Sequence, residues 1–388
     1  MVYQHSIWQN KKPVRQVKDY VSDDLSYNES LKKRQMKYLI RKKQAEKAKF
    51  FIVLVVIFGF LIPFIFMNNL NTLFLKKFRN SSIAIPDDIS YLSITETQLA
   101  DNTFLGTRYV DYINSEDPEM DSPNLVAEMP NLTRQLKNLV ASYSSLKPGI
   151  FIWDYSTGQY VNINADKMFP AASIIKIPIL FQLYKRAEKG LVDLDASMST
   201  SEPFIAEGSG TLQYSPLGTT LTYRNLAELM MQNSDNTASN MLLATVGGMS
   251  ELNRTIKQWG FGVTHLSNWL PDLDGTNETT PAEMGKFLYN IDNSDFLSIE
   301  SRAEIVEIMG HIRNRFLLQE PLPNNVQFLH KTGDIGSMLG DAGVVILPDG
   351  RKYIIVVMVD RPWNDYSAKQ LMIDASDLTY KAISRQQF

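Results

Sequence analysis

The chain has 388 residues, 44% hydrophobic and 21% charged, with no cysteine and four histidines. The lack of cysteine excludes a disulfide scaffold, a thiolate nucleophile and a cysteine-based zinc site. None of His5, His265, His311 or His330 is paired at helical ligand spacing, so neither a metal nor another cofactor is expected. The net charge of −3 hides a division: residues 1–49 carry 13 Lys/Arg against 5 Asp/Glu, residues 50–79 add +3, and the remaining 309 residues hold −14. A body that acidic argues against nucleic acid as a partner, because phosphate binding needs a basic face.

Residues 1–49 read as a basic tail, its first 28 residues polar and disordered in expectation. Phe50 to Met67 then runs eighteen residues without a charge. As a helix it would reach about 27 Å at ~1.5 Å per residue, close to a hydrocarbon core of ~30 Å. Nine Lys/Arg between Lys32 and Lys49 precede it and only Lys76, Lys77 and Arg79 follow closely. That asymmetry predicts a single-pass cell-membrane protein with its N-terminus in the cytoplasm and the rest outside. The basic run suits anionic headgroups, or is simply a solvated charged helix. Residues 68–129 read as an extracytoplasmic stalk, acidic and proline-punctuated at Ser115–Pro123.

The folded domain is expected over 130–388. Apolar spacing predicts a helix over Asn131–Ser145, strands over Gly149–Tyr155 and Gln159–Asn164, and helices from Ala172 to about Asp235, over 222–246 and over 249–260. Strands return at Val326–Lys331, Ala342–Leu347 and Lys352–Val359, followed by a helix over Ala368–Ser384. This α/β (α+β) pattern assembles most simply as two lobes: one antiparallel sheet of about five strands flanked by terminal helices, and an all-helical insert.

Three strings carry chemistry. Ser-x-x-Lys occurs three times, and only Ser173-Ile174-Ile175-Lys176 opens an apolar helix after a strand pair; Ser30/Lys33 and Ser144/Lys147 do not. At i and i+3 the Lys176 amine shares a face with the Ser173 hydroxyl, a nucleophile beside a proton acceptor. In Ser234-Asp235-Asn236, Ser234 can pass a proton to a leaving nitrogen, Asn236 can hold a substrate carbonyl while bonding Lys176, and Asp235 braces the loop. In Lys331-Thr332-Gly333, at the end of a strand, Lys331 and Thr332 offer a charge and a hydroxyl to a carboxylate, and Gly333 permits close backbone approach. The backbone amides of Ser173 and Asp334 can serve together as oxyanion donors.

Taken together and in this order, the three strings resemble those of the penicillin-recognising active-site serine hydrolases, most closely the class A β-lactamase family. The resemblance spans about residues 130–386 and includes Gly208–Gln213, Pro216–Thr219, Leu221–Leu226, Thr237–Asn240 and Thr279–Met284. It implies a β-lactamase/transpeptidase-like fold, Ser173 as the acylated residue, Lys176 as its partner, Ser234 as relay, and Asn236, Lys331 and Thr332 as substrate contacts. One departure stands out. The family's deacylating glutamate precedes a proline in the loop matched by Ser267–Asp274, and here that position is Leu270. Leucine accepts no proton, so slow ester hydrolysis is expected unless Asp272, Asp274 or Glu278 substitutes. Three functions follow as expectations: a membrane-tethered enzyme opening β-lactams, a D,D-peptidase acting on D-Ala-terminated cell-wall peptides, or a wall-binding module without turnover.

Overall fold

The computed structural model describes residues 117–385 of the chain. The basic tail over 1–49, the apolar span over 50–67 and most of the 68–129 segment lie outside the described residues. Among the described residues, no helix is long and apolar enough to cross a membrane.

Along the chain, β1 Ala127–Glu128 precedes helix α1 Pro130–Ala141, then strands β2 Lys147–Asp154, β3 Gln159–Ile163 and β4 Phe169–Pro170. A mainly helical stretch follows: α2 Lys176–Glu188, short strands β5 Ser197–Ser199 and β6 Thr220–Thr222, then α3 Tyr223–Gln232, α4 Asn236–Thr245 and α5 Gly248–Gln258. After β7 Glu278–Thr279 come α6 Pro281–Tyr289 and α7 Ile299–Gly310. The last elements are β8 Gln327–Asp334, β9 Met338–Ile346, β10 Lys352–Asp360 and α8 Ser367–Ser384.

The main sheet has six strands in the order β1-β3-β2-β10-β9-β8. Neighbours are antiparallel except β1, which pairs parallel with β3. The expected five antiparallel strands are all present, and the expectation lacks β1, whose two residues are too few to show a period. The sheet is therefore mixed rather than purely antiparallel.

Residues 117–129, expected as the end of a stalk, pack onto the body. Asp117 pairs with Lys189, Met120 is buried and its N–H donates to Trp259 O at 3.2 Å. The Asn290 side chain takes the Asp121 N–H and donates to the Asp121 carbonyl. The chain then donates from Val126 N–H to Gly158 O and enters β1. The described body thus begins before Pro130.

Both faces of the sheet are covered, which explains why β10 reads as the unbroken run Tyr-Ile-Ile-Val-Val-Met-Val instead of an alternation. Tyr353, Ile355, Val357 and Val359 enter one core under α1 and α8, with Leu132, Leu136, Leu371 and Met372. Ile354, Val356 and Met358 enter the other, larger core, shared with α2, α3, α4 and α6. Helix α2 is buried along its first ten residues, and the polar ones among them find partners inside: Gln182 with Thr255, and Lys185 with Phe296 O and Glu188. Its N-terminus is thereby fixed in the middle of the molecule. There it meets the α3–α4 turn and β8, the open edge of the sheet.

Candidate active site

The chain from 171 to 176 builds the first wall. Ala172–Ile175 form a single 3₁₀ turn that leads into α2, so Ser173 stands one turn ahead of Lys176, the first α-helical residue. Ala172 has φ of 45°, unusual for a residue with a Cβ. The Ala171 N–H donates to Asn277 O at 2.7 Å, which anchors the turn to the loop before β7. Ser173 is half-buried, and its hydroxyl has no hydrogen-bond partner among the described residues.

The second wall is the α3–α4 turn. Ser234 also has a left-handed backbone, φ 53°, and strain of this kind collects at functional sites. Asp235 is the brace that the sequence suggests. Its carboxylate caps α4 by accepting from Ala238 N–H at 2.9 Å and holds a neighbouring loop by accepting from Leu212 N–H at 2.8 Å. Asn236 takes the Lys176 amine on Oδ1 at 2.9 Å. Its Nδ2 donates to Glu207 O at 3.0 Å, so the amide group expected to meet substrate is engaged with the loop in this structure.

The third wall is β8. Lys331 Nζ lies 3.0 Å from Ser234 Oγ and 2.9 Å from Thr332 O. Thr332 sits beside it, nearly buried. A Cβ on Gly333 would come within 3.1 Å of Ala172 Cβ and Ile174 Cγ1 and 3.2 Å of Ala171 O. A side chain here would push the serine turn away from the strand by a few tenths of an ångström. Ile335 N–H donates to Met338 O, and in an antiparallel ladder bonded and non-bonded pairs alternate. With Asp334 opposite Leu339, the Asp334 N–H leaves the outer edge of β8. Ser173 N–H likewise makes no backbone hydrogen bond among the described residues.

The electrostatic centre is Ser234 Oγ, with Lys331 Nζ at 3.0 Å and Lys176 Nζ at 3.1 Å. Lys176 Nζ also lies 2.7 Å from Ser234 O. Both amines are buried. Burial, and then the neighbouring Lys331 charge, hold the Lys176 amine well below the usual lysine range, against the pull of Asp235. Burial also pushes Lys331 down to about 7, with Asp341 opposing. Lys176 is therefore the amine pushed toward its neutral form, and Lys331 is the one whose charge is poised.

The loop carrying Leu270 is held by side-chain amides rather than by Leu270 itself. Asn240, on α4, accepts from Leu270 N–H at 3.0 Å and donates to Leu270 O at 2.8 Å. Asn277 accepts from the N–H groups of Ser267 and Asn268 at 2.8 and 2.9 Å. Leu270 is buried. The carboxylate of Asp272 is committed to the loop, accepting from Asn277 N–H at 2.6 Å and from Thr276 Oγ1 at 3.0 Å. Glu278 faces His265 at 3.7 Å, and Asp274 is exposed. Sequence reading singles out Leu270 but not the bracing roles of Asn240 and Asn277. The available signal was a buried-type helix with an asparagine one turn beyond Asn236.

A lysine whose native pKa is lowered makes stability rise with pH, because the unfolded chain holds the extra proton between the two pKa values. Lys331 should act in this way from about pH 7 toward the ordinary lysine value. Denaturant unfolding of wild type should therefore gain up to about 1.4 kcal/mol per pH unit over Lys331→Met in that window. Parallel stability curves for the two proteins would show that Lys331 is not buried and depressed.

The profile of the β-lactamase enzyme family matches residues 131–383. Among solved structures, PBP-A aligns at 35% identity and TM-score 0.65, covering 70% of this chain and 100% of that one. A leucine-to-glutamate mutant of PBP-A, solved as an acyl-enzyme complex with penicillin G, aligns at 36% identity and TM-score 0.65, covering 67% and 98%. An ancestral class A β-lactamase (GNCA) aligns at 26% identity and TM-score 0.61, covering 65% and 99%. The chain belongs to the β-lactamase family, is of the class A-like type, and is a serine hydrolase.

Proposed function

We propose that this protein opens β-lactams through an ester on Ser173 and releases the product slowly. The observation that carries the reading is the hydrogen-bond arithmetic at Lys176. A neutral amine has two hydrogens and one lone pair. Two carbonyl-type oxygens, Ser234 O at 2.7 Å and Asn236 Oδ1 at 2.9 Å, occupy the two hydrogens. The lone pair is left for a hydroxyl, either Ser234 Oγ at 3.1 Å or the unpartnered Ser173 one turn away. A buried amine with a free lone pair beside a free serine is a base and a nucleophile.

The steps follow. Ser173 Oγ attacks the lactam carbonyl and gives its proton to Lys176. The developing oxyanion lies between the amides of Ser173 and Asp334. Ser234, bridging the two amines, delivers its proton to the departing nitrogen as the C–N bond breaks and takes the proton held by Lys176 at 3.1 Å, which returns that amine to its neutral form. Protonated Lys331 and the Thr332 hydroxyl hold the substrate carboxylate, Gly333 keeps the strand close to the serine turn beside it, and Asn236 aligns the acyl side chain. Binding an anion favours the charged form of Lys331. Deacylation then needs a base for water. Leu270 stands in that place and supplies none, and the Asp272 carboxylate is already committed to its own loop.

A D,D-peptidase acting on D-Ala-terminated cell-wall peptides is the second reading. It is favoured by the higher identity to PBP-A, 35%, than to the ancestral β-lactamase, 26%, and by the same missing base. The intact set of six polar side chains weighs against a wall-binding module without turnover. Residues 50–67 are read as the membrane anchor, on eighteen uncharged residues after a basic run.

Full-length protein should form a covalent adduct with labelled penicillin that Ser173→Ala abolishes; equal labelling of both would overturn the assignment. With a chromogenic cephalosporin, a single burst near one equivalent is expected, and sustained rapid turnover would contradict slow release. Leu270→Glu should speed loss of the ester by at least tenfold, a floor set below the roughly 10²–10⁴-fold that a positioned general base typically contributes. An unchanged off-rate would place the missing base elsewhere. Cell fractionation should leave the full chain in the membrane pellet after alkaline carbonate washing, and its appearance in the supernatant would refute the anchor.

A further inference from the structure

The hairpin turn that follows Lys331-Thr332-Gly333 is held far more firmly than its own hydrogen bonds require. Arg361, just after β10, reaches it three ways. Its backbone N–H donates to Ser337 O at 2.8 Å, its Nε to Gly336 O at 2.9 Å, and its Nη2 to Asp334 Oδ1 at 2.6 Å. Asp334 Oδ1 also accepts from Gly336 N–H at 2.8 Å, and Asn364 N–H adds a second donor to Gly336 O at 2.9 Å. The Trp363 ring lies against Gly336, where a Cβ would come within 2.9 Å of it.

This clamp sits on the residue whose amide leaves the free edge of β8. β8 is an edge strand, so the outward Asp334 N–H has no strand partner to fix its direction. An oxyanion donor nevertheless has to aim at a point defined to a few tenths of an ångström. The asymmetry of exposure shows which partner is structural. The Arg361 side chain is 5% exposed and that of Asp334 52%. An exposed ion pair contributes little, whereas a buried guanidinium spends its fork geometry on fixing whatever it holds.

We propose that Arg361 is a positioning residue for the reaction: by gripping the Asp334 side chain and the Gly336 and Ser337 carbonyls, it aims the Asp334 amide at the substrate oxyanion. This rests on the acyl-serine reading of the site. Arg361 touches neither substrate nor reacting atoms, and it acts through the strand end.

The test separates transition-state stabilisation from ground-state binding in the full-length protein. A boronic acid forms a tetrahedral adduct on an active-site serine and places an oxygen where the oxyanion develops. A β-lactam hydrolysis product carrying the same carboxylate engages Lys331 and Thr332 without that oxygen. Arg361→Ala should lower the penicillin acylation rate constant and the boronate affinity together, by tenfold or more. Affinity for the product acid should stay within about twofold. Loss of one donor outright costs about 10²–10³-fold, which bounds the effect. Asp334→Ala should produce a smaller loss, and the double variant should match Arg361→Ala rather than the product of the two effects, because both act through one grip. Arg254→Ala, at an exposed pair with Glu251, should change none of these values. If Arg361→Ala does not fold by circular dichroism, Arg361→Lys, which keeps a charge but loses the fork, should show the same split at reduced size. Unchanged acylation, or an equal fall in boronate and product affinity, overturns the proposal. Failure of wild type itself to form either adduct would instead overturn the acyl-serine reading on which it rests.

Discussion

Two buried amines meet at one hydroxyl, and bringing like charges together out of water is unfavourable enough that much of the surrounding structure serves to hold them. Lys176 arrives on the first turn of a helix buried along its first ten residues. Lys331 arrives on the edge strand of the sheet. Ser234 lies between them on a left-handed turn at about 3 Å from each amine. Repulsion and desolvation act in the same direction on Lys176: both push its amine below the usual lysine range. The proposed division of labour between base and anion anchor thus needs no third titrating group beside the two amines.

That convergence depends on close approach. The serine turn lies on β8 because Gly333 has no Cβ. The α3–α4 turn is fixed from below by Asp235 and from the side by the loop around Glu207. The strand end is held by Arg361. Each constraint comes from a different part of the chain, and each is made with backbone groups, which vary less in position than long side chains.

Much of this was legible in the sequence because it is local. The three motifs are short, and the two-residue separation of Ser173 and Lys176 by Ile174 and Ile175 already implies a single turn. The five long strands were legible because their apolar runs are bounded by turn residues. Gly340 and Asp341 break the apolar run that marks a strand, so the sequence places the start of β9 at Ala342 where the structure has it at Met338. The α1 helix ends at Ala141 rather than Ser145, and α7 over Ile299–Gly310 went unassigned because its apolar positions do not form one face. Long-range grips were invisible for a different reason. Asn240 bracing Leu270 spans 30 residues, and Arg361 bracing Asp334 spans 27. Nothing in the spacing of an isolated asparagine or arginine says which distant carbonyl it will meet.

The loop around Leu270 separates framework from chemistry. Its backbone is fixed by Asn240 at Leu270 itself and by Asn277 at Ser267 and Asn268. Its interior is closed by Asp272 with Thr276 and Asn277. None of these bonds uses the Leu270 side chain. Position 270 can therefore exchange an apolar group for a carboxylate while the loop keeps its path, the main cost being desolvation of the new charge. An apolar side chain here is then a chemical setting of the site. Under the proposed acyl-serine reading, it leaves the groups on the other walls in place and denies water a base, so that the lifetime of the ester would be separable from the rate at which it forms.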